Sequence, residues 1–156
     1  MRWLFAAILG FAGECGGTKN PGNAEISVDT PEYTADSHAP PEVSGKCKFE
    51  HELASQITKA SPKAAVGGSA GKRLSLRIIH VRGADETSDG EISVIVEGEL
   101  LDGGNAIGSF KLRRAAMHGV MGGMGGVCRG LDDIAAIMAE DIAIFIDDPE
   151  MNADLG

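Results

Sequence analysis

Three segments in which apolar and polar residues alternate, followed by one in which apolar residues recur every three or four positions, restrict this chain more than any other feature. In RLSLRIIHV, Leu74, Leu76 and Ile78 alternate with Arg73, Ser75 and Arg77, and in EISVIVEGEL, Ile92, Val94 and Val96 alternate in the same way. AIGSFKLRR continues the pattern with Phe110 and Leu112 against Lys111 and Arg113. A period of two is the signature of strands with one buried face, and the connections GADETSDG and DGGN have loop and turn composition. They predict a three-stranded antiparallel meander. Its charged face carries Arg73, Arg77 and Arg113 and is the surface expected to meet a partner.

LDDIAAIMAEDIAIFI then places Leu131, Ile134, Met138, Ile142 and Phe145 on one helical stripe. Asp132 and Asp133 are expected in its first turn, where negative charge suits the helix dipole, and Pro149 stops it. Asp147 and Asp148 run against the dipole at the other end. A shorter helix precedes the strands, with Phe49, Leu53, Ile57 and Ala60 in register and Pro62 beyond it. The expected fold is α+β: helix, three-stranded antiparallel meander, helix, with both helices on one sheet face. One domain fits a chain of 156 residues.

Residues 3–13, WLFAAILGFAG, are too short to span a bilayer, which takes about 20 residues, and suit the apolar region of an export signal. Cys15 stands where a bacterial lipoprotein carries its acylated cysteine. Glu14 before it departs from the usual small-residue approach, so acylation, cleavage without lipid, and an ordinary apolar segment all stay open. Residues 16–45, rich in Pro, Ser, Thr, Asn and acidic residues, are expected to form a disordered tether. The expected division is therefore 1–15 signal, 16–45 tether, 46–150 domain and 151–156 flexible tail.

The chain has three cysteines. In an oxidising compartment, losing Cys15 to a lipid or with the signal leaves Cys47 and Cys128 to pair, joining the two helix starts. The net charge of -9 argues against nucleic acid and against an anionic membrane surface, leaving a lipid anchor as the only expected membrane contact.

Motifs for catalysis fail on context. GGSAG centres Ser69 in a nucleophile-elbow pattern, but a helix precedes it and a strand follows. Asp85, Thr87, Asp89 and Gly90 imitate a calcium loop, yet Val96 occupies the position that needs a bidentate Glu. No catalytic constellation can be assigned from spacing, and an enzyme and a resident cofactor are not expected. AAMHGVMGGMGGVC reads as a glycine-permitted path from the last strand to Cys128. One alternative is a soft-metal site for copper built from Met117, His118, Met121 and Met124; another, a backbone anion cradle at Gly122 to Gly126 near Arg113 or Arg114, is opposed by Asp132 and Asp133.

The segments EGELLDGGNAIGSFKLRR, GGMGGVC and AEDIAIFIDDP resemble small uncharacterised envelope lipoproteins of Gram-negative bacteria. The resemblance rests on Cys47, Gly108, Ser109, Phe110, Arg113, Arg114, Gly122, Gly123, Cys128, Asp141 and Pro149. It implies no activity. With the export signal, it points to a periplasmic or outer-membrane-anchored binding or assembly module whose partner is another envelope protein.

Overall fold

The computed structural model describes residues 23–87, 90–118 and 122–156. Three long strands, β4 (Lys72–Arg82), β5 (Gly90–Asp102) and β6 (Asn105–His118), form the predicted meander, pairing antiparallel throughout. Gly103 and Gly104, both with positive φ, make the two-residue turn between β5 and β6, a conformation that matches the twist of paired strands. Leu74, Leu76, Ile78, Ile92, Val94, Val96, Leu100, Phe110 and Leu112 are buried. They face α2 (Phe49–Ala60) and α3 (Gly123–Asp147), which contribute Phe49, Leu53, Ile57, Leu131, Ile134 and Met138 to the same core.

The sheet is larger than the meander. It has seven strands among the described residues, in the order β3-β1-β4-β5-β6-β7, with β2 also beside β4. The additions are β1 (Ile26–Val28), β2 (Glu32–Tyr33), β3 (Ala64–Val66) and β7 (Ala153–Asp154). All pair parallel: β1 with β3 and β4, β2 with β4, and β7 with β6. A strand of two or three residues completes at most one period, so alternation does not mark it.

Two expected boundaries are corrected by these strands. The stretch expected as a tether supplies β1, β2 and the short helix α1 (Pro41–Gly45), and buries Ile26, Val28 and Val43. The expected tail supplies β7, with Ala153 buried. Residues 16–22 lie outside the described residues.

The glycine-rich path is helical from Gly123 onward, so Asp132 and Asp133 fall within α3 rather than in its first turn. Glycine lowers helix propensity by about 1 kcal/mol per residue, but here it also admits close packing. Gly126 and Gly130 are buried, and a Cβ on Gly130 would stand 3.1 Å from Ile92 Cδ1. Proximity to β5 therefore outweighs the propensity cost. The terminal acidic pair also gains a partial account, because Asp147 accepts a hydrogen bond from Lys63 Nζ at 2.6 Å.

Candidate functional site

The outer face of β4–β6 is an ordered polar surface. Residues pointing away from the helices line up across the three strands: Arg77, Glu97 and Lys111 in one row, and Ser75, Glu99 and Ser109 in the next. Arg77 Nη2 donates to Glu97 Oε2 at 3.1 Å, and Lys111 Nζ lies 4.0 Å from Glu97 Oε1, so one carboxylate serves two cations. Arg113 lies 3.6 Å from Glu91, and Arg73 donates to Asp29 at 2.6 Å. A depression of about 480 Å³ opens here, lined by the two rows together with Asn152 and Asp154.

Its rim is fixed by the residues that carry the lipoprotein resemblance. A Cβ on Gly108 would stand 2.8 Å from both Phe145 Cζ and Pro149 Cβ, so glycine alone lets the end of α3 close over β6. Ser109 then fastens the chain beyond the helix: its N–H donates to Glu150 O at 2.9 Å and its Oγ accepts from Asn152 N–H at 2.9 Å. Phe110 meets Phe145 edge to face, with ring centroids 4.8 Å apart. The Arg113 N–H donates to Gly156 O at 2.8 Å, and the Arg114 side chain donates to the carbonyls of Leu155 and Gly156. Arg114 also approaches Asp141 Oδ2 to 2.7 Å, an ion pair set off the axis of a hydrogen bond. Periodicity gave no sign of this C-terminal clasp. The GSF segment and the basic pair were its visible signal.

Cys47 and Cys128 form a disulfide. Cys47 lies just before α2, as expected, whereas Cys128 lies inside α3 because that helix begins earlier than its apolar stripe. Met124 Sδ stands 3.8 Å from Cys47 Sγ. Cys15 lies outside the described residues.

Of the soft-metal candidates among the described residues, Met117 and His118 border one depression together with Gly122, Arg129, Asp132 and Asp133. Met117 and His118 are consecutive in β6 and point to opposite faces. Met117 is 73% exposed. His118 Nε2 lies 3.3 Å from Gly83 O, and its Nδ1 is buried without a partner among the described residues. Met124 packs against the core beside the disulfide, and Met121 lies outside the described residues. Among the described residues, no three of His, Cys, Asp and Glu come together as a metal-holding group.

On α2, Tyr33 from β2 donates its hydroxyl to Glu50 Oε2 at 2.9 Å. Burial first, and the Glu50 carboxylate second, push the phenol well above its usual range. Burial likewise raises the Asp132 carboxyl, helped by Glu52 and Asp133.

No protein-family model matches the chain, and no curated protein is similar to it. Solved structures share its fold. A candidate lipoprotein from Caulobacter crescentus superposes with a TM-score of 0.57 at 15% identity, over 80% of this chain and 89% of its own. A DUF330 protein from Xanthomonas campestris gives 0.56 at 11% identity, over 81% and 87%. PelC of Paraburkholderia phytofirmans, solved as a dodecamer, gives 0.50 at 17% identity, over 81% and 93%.

Proposed function

We propose that this chain is an exported bacterial envelope protein, periplasmic or held at the outer membrane through Cys15, that acts as a non-catalytic binding or assembly module. The observation that carries the reading is that, among the described residues, a seven-stranded sheet is covered by helices on one side only. The other side holds rows of ion pairs and hydroxyls around a depression of about 480 Å³. Such a surface offers contacts in a fixed register, and its role needs no reaction step. Export is supported by the Cys47–Cys128 disulfide, a bond that persists outside the reducing cytosol, and by the apolar run that precedes Cys15. The proposed anchor is a lipid on Cys15; among the described residues, no helix is long and apolar enough to cross a membrane.

Two measurements test the reading. Non-reducing peptide mapping of protein taken from its native envelope is expected to give a linked Cys47–Cys128 peptide and an acylated Cys15. Free thiols at 47 and 128 overturn export. A photo-crosslinker at Ser109 is expected to trap a protein in living cells, and trapping equally well from a position on α2 removes the sheet face from the proposal.

A further inference from the structure

Two histidines from separate parts of the chain meet beside β4. The His38 and His80 rings lie 5.7 Å apart between centroids, edge to face. Regular alternation along β4 would not bring them together. Ile78 pairs with Val96 and Val81 with Val94, all four buried, and the register shifts between Ile78 and His80. Without that shift His80 would share the inward side of Ile78. With Ile79 as an extra residue, His80 instead takes the outward place opposite Ile95, the re-aiming of a side chain that a β-bulge performs. His38 arrives from the other edge of β4, just after the turn that follows β2, where Ser37 O accepts the Val81 N–H at 2.8 Å. Its φ of 54° is a left-handed backbone that few non-glycine residues adopt. Two local departures from regular structure thus converge on one contact. His38 is exposed and His80 half-buried. The other two histidines are engaged, His51 at 3.8 Å from Glu50 and His118 at 3.3 Å from Gly83 O. Neither His38 nor His80 has a hydrogen bond or ion pair among the described residues.

We infer that His38 and His80 together bind a divalent ion of the class that favours imidazole, which comprises zinc, nickel and copper(II). The spacing agrees. An ion bonded to one nitrogen of each ring at about 2.0–2.1 Å holds the two ring centroids about 4.5 to 6 Å apart, a range that contains the 5.7 Å separation of His38 and His80. Histidine χ2 is a broad torsion, so each ring can turn a nitrogen towards the shared point with the backbone left in place. Local charge neither makes nor prevents the site, because exposed Asp36, two residues before His38, is offset by exposed Arg82, two residues beyond His80. The bonds to nitrogen carry the affinity. Two protein ligands leave the rest of the ion's shell to water, so the ion exchanges, unlike a structural zinc closed by four protein ligands. The site is separate from the outer depression, whose lining includes neither histidine, and the inference does not rest on the contact-surface proposal.

The test is a titration of zinc chloride into the metal-free protein with its disulfide intact, at about pH 7.5 because a ligating imidazole is neutral. Calorimetry reads stoichiometry and affinity, and NMR of the histidine rings reads location. The expected result is one zinc per chain, with the His38 and His80 signals shifting along one saturation curve while those of His51 and His118 stay in place. His38→Asn and His80→Asn are each expected to weaken binding at least about tenfold, and asparagine tolerates the left-handed backbone at position 38. His51→Ala is expected to leave the affinity unchanged. If an asparagine variant fails to fold, the ring signals of the wild-type protein decide. The inference is overturned by the absence of saturable binding up to about 1 mM zinc, by shifts that follow His51 or His118 instead, or by an affinity that either asparagine variant leaves unchanged.

Discussion

Replacing both Cys47 and Cys128 by alanine removes a link between residues 81 apart in sequence. In the chain-entropy treatment, a loop of that length withholds about 4.5 kcal/mol of disorder from the unfolded state. The loop encloses α2, β3, β4, β5 and β6, so the constraint acts on the strands with the most distant pairings still to make. A domain of this size is stable by about 5 to 15 kcal/mol, so the loss is about 30% of the total or more. With a urea dependence near 1.5 kcal/mol per molar, the midpoint is expected to fall by about 3 M. The assay is urea unfolding of wild type and the double alanine variant followed by tryptophan-independent circular dichroism. A steeper urea slope is expected in the variant, because its unfolded chain expands further. A loss below about 1 kcal/mol with unchanged slope would refute the reasoning, since it would mean the unfolded chain is already ordered across the 47–128 span.

Gly108→Ala puts a methyl group 2.8 Å from Phe145 and Pro149; overpacking of this kind costs about 1 to 3 kcal/mol and should appear as a lower melting temperature. Arg114→Met removes the Asp141 pair and two carbonyl contacts. It is expected to cost about 1.5 to 3 kcal/mol, with faster hydrogen exchange at the Leu155 and Arg113 amides measured by NMR. Tyr33 is the single tyrosine, so ultraviolet titration reads it alone. Its folded phenol holds the proton above the ordinary tyrosine range, so the stability it contributes is complete below about pH 10 and falls as pH rises beyond that. Phenolate absorbance is expected to appear together with unfolding, and a rise near pH 10 in folded protein would contradict the buried Tyr33–Glu50 contact.

The meander and the body of α3 were legible because long elements repeat their period several times, as Leu74, Leu76 and Ile78 do on β4. Cys47 and Cys128 were legible by counting. The flanking strands were not, because Ile26–Val28 is buried at every position and shows no alternation. Composition also misled at both ends of the chain. The prolines and acidic residues around Ile26 and Val43 masked two buried side chains, and the glycines from Gly122 to Gly130 resembled a loop where they permit a helix to sit close to Ile92. The outer face was half legible: alternation located Arg73, Arg77 and Arg113, but the sharing of Glu97 by Arg77 and Lys111 depends on strand register.

The position of β1 has a mechanical consequence. The chain enters the described fold through a strand that lies between β3 and β4, parallel to both, rather than at an edge of the sheet. Any pull on residues before 23 is delivered along β1. Its ties to Lys63, Leu74, Gly67 and Lys72 lie to both sides of the strand, roughly across the direction of pull. They are loaded together in shear and cannot be opened one at a time from an end. A domain leashed at its N-terminus would thus bear tension at its interior, where release requires Ile26 and Val28 to slide out from between two neighbours.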